Sequence, residues 1–101
     1  MQVYVLKVNV EYLGHVKKVA GDRRIEDFEI KGNATVADLL TALSEKYGEP
    51  FRKAIYEPEA ADVKSNFIVT VNGYLLNQLD GVQTRLKNHD HVILMPIVSG
   101  G

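Results

Sequence analysis

Residues 35–50, TVADLLTALSEKYGEP, read as a helix with both ends marked. Val36, Leu39, Leu40, Leu43 and Tyr47 recur at the three- and four-residue spacing that lays one apolar stripe along a helix. Thr35 can accept a hydrogen bond from the backbone of Asp38, and Asp38 can answer it, which makes a capping box. Gly48 suits a left-handed C-terminal cap, and Pro50 prevents continuation. The spacing predicts one helix over 36–47. Its apolar stripe has to be covered, and the strongest apolar segments elsewhere are patterned as strands.

Residues 2–10 alternate with period two and are rich in β-branched residues, which predicts a first strand. Tyr4, Leu6, Val8 and Val10 share one face and Val3, Val5, Lys7 and Asn9 the other; the pattern does not decide which meets the core. Ile25, Phe28 and Ile30 mark a second strand, joined to the first as a hairpin by a long polar loop. Ile25 and Phe28 would fall on opposite faces of a regular strand, so a bulge or an early turn is expected there. Phe51, Ile55 and Tyr56 suggest one short helical turn before a charged surface loop beginning near Pro58. Phe67, Val69 and Val71 alternate with Ile68 and Thr70, and Asn72-Gly73 follows. That dipeptide is the strongest short hairpin mark, because the primed turn needs positive φ at both central positions. A short strand is expected near 74–76. A connection with turn chemistry at Asp80-Gly81 follows, in which Leu86 reaches the core. HVILMPIV forms the last strand, expected to be buried on both faces.

The order is strand, strand, helix, strand, short strand, strand. The first and last strands can pair in parallel at the centre, with the helix inside the crossover. This is an α+β fold with one main helix packed across a mixed sheet. A length of 101 residues suits one domain, 1–101, with 98–101 as a protruding tail. Apolar residues make up 46% and charged residues 25%, which argues against a disordered chain. The net charge of −1 gives no nucleic-acid footprint. The absence of cysteine removes disulfides, thiolate metal sites and thiol nucleophiles. No apolar run approaches membrane-spanning length, so a cytoplasmic protein is expected.

The segment HVILMPIVSGG carries the chemistry. Without Cβ atoms, Gly100 and Gly101 can enter a narrow channel. Four extended residues, from Val98 to Gly101, reach about 13 Å. The reactive group is then the Gly101 carboxylate, presented to a partner's active site. A carboxylate resists nucleophiles at neutral pH and needs activation, most simply by adenylation with ATP. With no cysteine in the chain, any sulfur is brought from outside and held at the terminus. Ser99 and Gly100 are the tail, and Pro96 stiffens its exit.

Other features are read as bland. Zinc needs three or four placed ligands, and His89-Asp90-His91 lacks an evident third; a solvated turn and no metal are expected. Lys17-Lys18 and Arg23-Arg24 read as a solvated loop, with a salt-sensitive contact to a partner or RNA as the alternative.

TVADLLTALSEKYGEPFRKAI, IVTVNGYLL and LKNHDHVILMPIVSGG, in that order, resemble the ubiquitin-like sulfur carriers. Within them, the chain is most similar to the small subunit of molybdopterin synthase (MoaD-type) and to the small archaeal modifier proteins. The resemblance implies a ubiquitin-like β-grasp roll. It implies that Gly101 is adenylated by an E1-like enzyme and then converted to a thiocarboxylate with an external sulfur donor. ATP is used by the partner, and no cofactor is bound by this chain. In the molybdopterin branch the partner is the large synthase subunit. In the modifier branch Gly101 is joined to lysines of target proteins. Either way the chain is a co-substrate, not an enzyme. A plain interaction module without terminal chemistry is the third alternative. Both strand runs carry more apolar residues than one core face requires, so a partner surface is expected on the outer sheet face, at Phe67, Val69, Leu94 and Pro96.

Overall fold

A computed structural model describes residues 4–56, 63 and 67–97. The strands are β1 (Val5–Tyr12), β2 (Ile25–Lys31), β3 (Phe67–Val71), β4 (Tyr74–Leu75) and β5 (His91–Pro96). The helices are α1 (Val16–Val19), α2 (Val36–Tyr47) and α3 (Glu49–Ile55), with two 3₁₀ turns at Leu76–Gln78 and Gly81–Gln83. The sheet order is β2-β1-β5-β3-β4. β1 and β5 pair in parallel at its centre, as the element order predicted, and the other neighbours are antiparallel.

α2 forms where its local signals place it. The Thr35 hydroxyl accepts from the Asp38 N–H at 3.2 Å, and the Asp38 carboxylate accepts from the Thr35 N–H at 2.9 Å. That backbone N–H, and to a lesser degree the Lys31 charge, holds the Asp38 carboxyl below its usual range. Val36, Leu39, Leu40 and Leu43 are fully buried against Val8, Val10, Val92 and Leu94 of the central strands. The C-terminal cap differs from expectation. Gly48 has φ 86° and ψ −166°, a region open essentially only to glycine but not the left-handed helical one. It joins α2 directly to α3, whose second residue is Pro50. A proline there needs no N–H partner, so it starts the next helix besides ending α2. Phe51 and Ile55 of α3 are fully buried.

β2 corrects the expected bulge. The ladder from Val5↔Lys31 to Glu11↔Ile25 is unbroken. Ile25 is therefore free to point outward, 51% exposed, while Glu26 takes the inward position with Phe28 and Ile30. Glu26 is accommodated because Tyr12 Oη (2.5 Å), Tyr47 Oη and Lys46 Nζ (2.8 Å) all donate to its carboxylate. The stretch after Gly14 also differs from a loop. It contains α1, pinned by fully buried Val16, with fully buried Ala20 capping its end.

At the Asn-Gly hairpin both residues have positive φ, 53° and 88°, as a primed turn requires. Asn72 also ties that hairpin to β5. Its Oδ1 accepts from the His91 N–H, and its Nδ2 donates to Asp90 Oδ1, both at 2.9 Å. Leu86 reaches the core as expected, 4% exposed.

Thr70 lies on the outer face in register with Ile93 and Leu75, yet it is only 7% exposed. Its hydroxyl has no hydrogen-bond partner among the described residues. Thr70→Val keeps the shape and removes the orphaned group, so it is expected to stabilise the fold by about 1 kcal/mol. Urea unfolding would show this as a raised midpoint; a lowered one would contradict it.

Candidate functional site

The site is built around the point where β5 releases the chain. β5 is gripped on both flanks almost to its end. On one side the Leu13 N–H donates to the Leu94 carbonyl at 3.0 Å, and on the other Phe67 is in register with Pro96. Gly14, at φ +63°, packs on the Pro96 ring so closely that a Cβ there would stand 2.9 Å from Pro96 Cγ. Only glycine serves both that conformation and that approach. Pro96 is thus clamped between the Gly14 turn and β3, and Ile97 beyond it is 46% exposed. Ser99, Gly100 and Gly101, the residues expected to carry the terminal chemistry, lie outside the described residues.

The expected partner surface needs correcting. Phe67, Val69 and Leu94 are 8%, 4% and 0% exposed and belong to the core cluster. The period of two puts the alternate residues outward instead. Ile25, Glu11, Ile93, Thr70 and Leu75 form one row across all five strands, and Met95 and Ile68 pair in the next row towards the tail. Pro96 is half-buried at the sheet's end. The last strand is therefore not buried on both faces. Val92 and Leu94 are inside, whereas Ile93 and Met95 are half-exposed. One signal could have found the outer face: Thr70 shares parity with Ile68, which marks that side of β3 as the more polar one.

Glu11 sits within the apolar row, and its carboxylate lies 3.0 Å from His91 Nε2. This contact engages the His91 ring. Asp90 is likewise occupied, accepting from the Lys87 N–H at 2.8 Å and from the Asn72 amide. His89 adopts φ 70° in the turn before β5, its N–H donating to the Lys7 carbonyl. Among the described residues no three His, Cys, Asp or Glu side chains converge, and no helix is long and apolar enough to cross a membrane.

Comparison with known proteins follows the same lines. The ThiS family model matches residues 10–101, from β1 through the final glycine. Small archaeal modifier protein 3 of Haloferax volcanii is 29% identical over 96 residues, which cover 95% of this chain and 100% of that protein. The solution structure of small archaeal modifier protein 1 from Methanosarcina acetivorans is similar with a TM-score of 0.73 at 25% identity, covering 97% of this chain and 99% of that one. A Pyrococcus furiosus protein assigned as molybdopterin converting factor subunit 1 gives 0.69 at 27% identity, covering 92% and 99%. The mixed five-stranded sheet with its packed helices is the ubiquitin-like β-grasp fold of these neighbours. By its match over nearly the whole sequence, the chain belongs to the ThiS family of small ubiquitin-like carriers and modifiers.

Proposed function

We propose that this protein is a sulfur carrier whose Gly101 carboxylate is adenylated by an E1-like enzyme and converted to a thiocarboxylate, for molybdopterin or tungstopterin synthesis. The observation that carries the reading is the clamp on Pro96, followed by Ser99-Gly100-Gly101. A central strand held to its last residue gives the tail a fixed root, and the glycines give its tip freedom to enter a channel. A carboxylate oxygen attacks the α-phosphate of ATP and expels pyrophosphate. Hydrosulfide released by an external sulfur donor then attacks the acyl carbon and expels AMP, which leaves the thiocarboxylate. ATP and the machinery belong to the partner; this chain is the co-substrate and works in the cytoplasm. The large subunit of molybdopterin synthase is the proposed recipient.

A second reading shares the first step. The relative named small archaeal modifier protein 3 favours it. There the ε-amine of a target lysine expels AMP, leaving Gly101 in an isopeptide bond. Mass spectrometry of the protein from its native cell separates the two. Exchange of oxygen for sulfur at Gly101 supports the carrier. Branched lysine peptides bearing Gly-Gly from this chain, without that exchange, support the modifier. An unaltered Gly101 carboxylate under every growth condition overturns both.

The outer face around Ile93, Met95 and Ile68 is the proposed dock for the activating enzyme, because it leads directly to the tail root. Met95→Glu would place a charge in that interface. Partner affinity is expected to fall about tenfold or more, with little change in melting temperature. Isothermal titration with the activating enzyme checks this, and unchanged affinity would move the dock elsewhere.

A further inference from the structure

Four of the chain's twelve Lys and Arg residues lie within one ten-residue stretch. Between His15 and Arg24 stand Lys17, Lys18, Arg23 and Arg24 against Asp22 alone, a net of +3 in a chain whose total is −1. All of these side chains are exposed. The stretch is also held in shape. Val16 and Ala20 are buried on its inner side, and the Asp22 N–H donates to the Lys17 carbonyl at 2.9 Å. Arg23 has an internal partner, at 4.0 Å from Glu26. Among the described residues no carboxylate pairs with Lys17, Lys18 or Arg24.

The fold sets this turn beside the tail root. Gly14, which opens it, touches Pro96, and its carbonyl accepts from the Lys17 N–H at 3.2 Å. At the other end of the turn the Arg24 carbonyl accepts from the N–H of Tyr12, and Tyr12 is in register with Leu94 of β5. The turn therefore adjoins the surface that a protein taking in the tail would meet.

We propose that the α1 turn docks an acidic rim around the channel that receives the tail, Lys17, Lys18 and Arg24 being the contact residues. This rests on the reading of the tail as the end that is activated. The rest of the chain is net −4, so the tail and the body would together be repelled by an acidic partner surface. A local +3 at the root reverses the sign of that interaction where the two molecules first meet, which raises the encounter rate and selects the approach. The patch fits a compact acidic cluster on a protein better than a nucleic acid. A phosphate backbone extends its charge continuously. It would run from this turn onto exposed Asp27 and Glu29 of the adjoining β2.

The test is pyrophosphate exchange by the activating enzyme, with the full chain as co-substrate, at low and high ionic strength. In Lys17→Glu/Lys18→Glu/Arg24→Glu the KM for the chain is expected to rise about tenfold or more at low salt, with kcat unchanged. The wild type's loss of kcat/KM with added salt is expected to flatten or invert in the variant. Lys17→Arg/Lys18→Arg keeps the charge and is expected to match the wild type. Circular dichroism melts coincident with the wild type confirm the fold, as expected for exposed side chains. A KM and salt dependence equal to the wild type in the charge-reversed variant overturn the proposal. So does normal activation coupled with loss of binding to transfer RNA, which would make the turn a nucleic-acid contact. Absence of exchange with the wild type overturns the tail reading itself, and this proposal with it.

Discussion

A chain ending at Ser99 is expected to fold as the full chain does and to lose adenylation by at least about a thousandfold. The fold is insensitive because no residue of the described core lies beyond Leu94, and the grip on β5 ends at Pro96. The chemistry is sensitive because two missing residues withdraw the carboxylate by about 7 Å, whereas misplacing a reacting atom by 1 Å already costs about a hundredfold. Gly101→Ala should fall between, since a Cβ restricts backbone freedom in a narrow channel while leaving the reach unchanged. Pyrophosphate exchange measures the loss, and a thermal melt certifies the fold. If the chain ending at Ser99 is activated as the full chain is, the two glycines are not what carries the carboxylate into the channel, and this reading of the tail fails.

The parts of this architecture that could be read from the residues are those whose causes are local. α2 carries its capping box and its stripe within sixteen residues, and the Asn72-Gly73 turn carries its own dihedral requirement. The parallel pairing of β1 and β5 followed from element order, because the crossover containing α2 leaves little else for the end strands to do. What escaped was set by distant partners. Glu26 looks like an outward residue until Tyr12, Lys46 and Tyr47 arrive, from 14, 20 and 21 positions away. α1 has one turn, too short for any periodicity, and it exists because Val16 and Ala20 find the core. The residues expected on the outer face have the inward parity. Phe67, Val69 and Leu94 are the more uniformly apolar set, and it is the core that claims such a set first. The Ser99-Gly100-Gly101 ending is visible in sequence, but the clamp at its root depends on Gly14 meeting Pro96, a contact between residues 82 positions apart.

Glu26→Ala is expected to destabilise the fold by about 1–3 kcal/mol, the usual cost of leaving a buried polar group without its hydrogen-bond partner. The Glu26 side chain is 5% exposed, and its loss would leave the fully buried Tyr12 hydroxyl without its acceptor. The same carboxylate fixes Tyr47, whose ring packs with Phe51 at 5.5 Å and edge-on to Tyr12 at 6.2 Å. The cluster therefore ties β1 and β2 to the end of α2. Tyr12→Phe removes a single donor and leaves Lys46 and Tyr47 in place, so about 1 kcal/mol is expected there. Burial would raise the Glu26 carboxyl, but the hydrogen bonds from Lys46, Tyr12 and Tyr47 outweigh it and hold the group below its ordinary value of 4.5. A carboxyl lowered by folding stabilises fully above its unfolded value, and that contribution disappears as pH falls through the folded one. The gap between wild type and Glu26→Ala should thus be widest near neutrality and narrow in acid. Burial first, and then Glu26, raise the Tyr12 and Tyr47 hydroxyls. Their contribution is complete below the unfolded value of 10.0 and erodes as pH rises past it. Urea unfolding of both proteins from acid to alkaline pH tests this. A gap that stayed constant through the acid range would mean that Glu26 is not the ionised centre of the cluster, whatever its geometry.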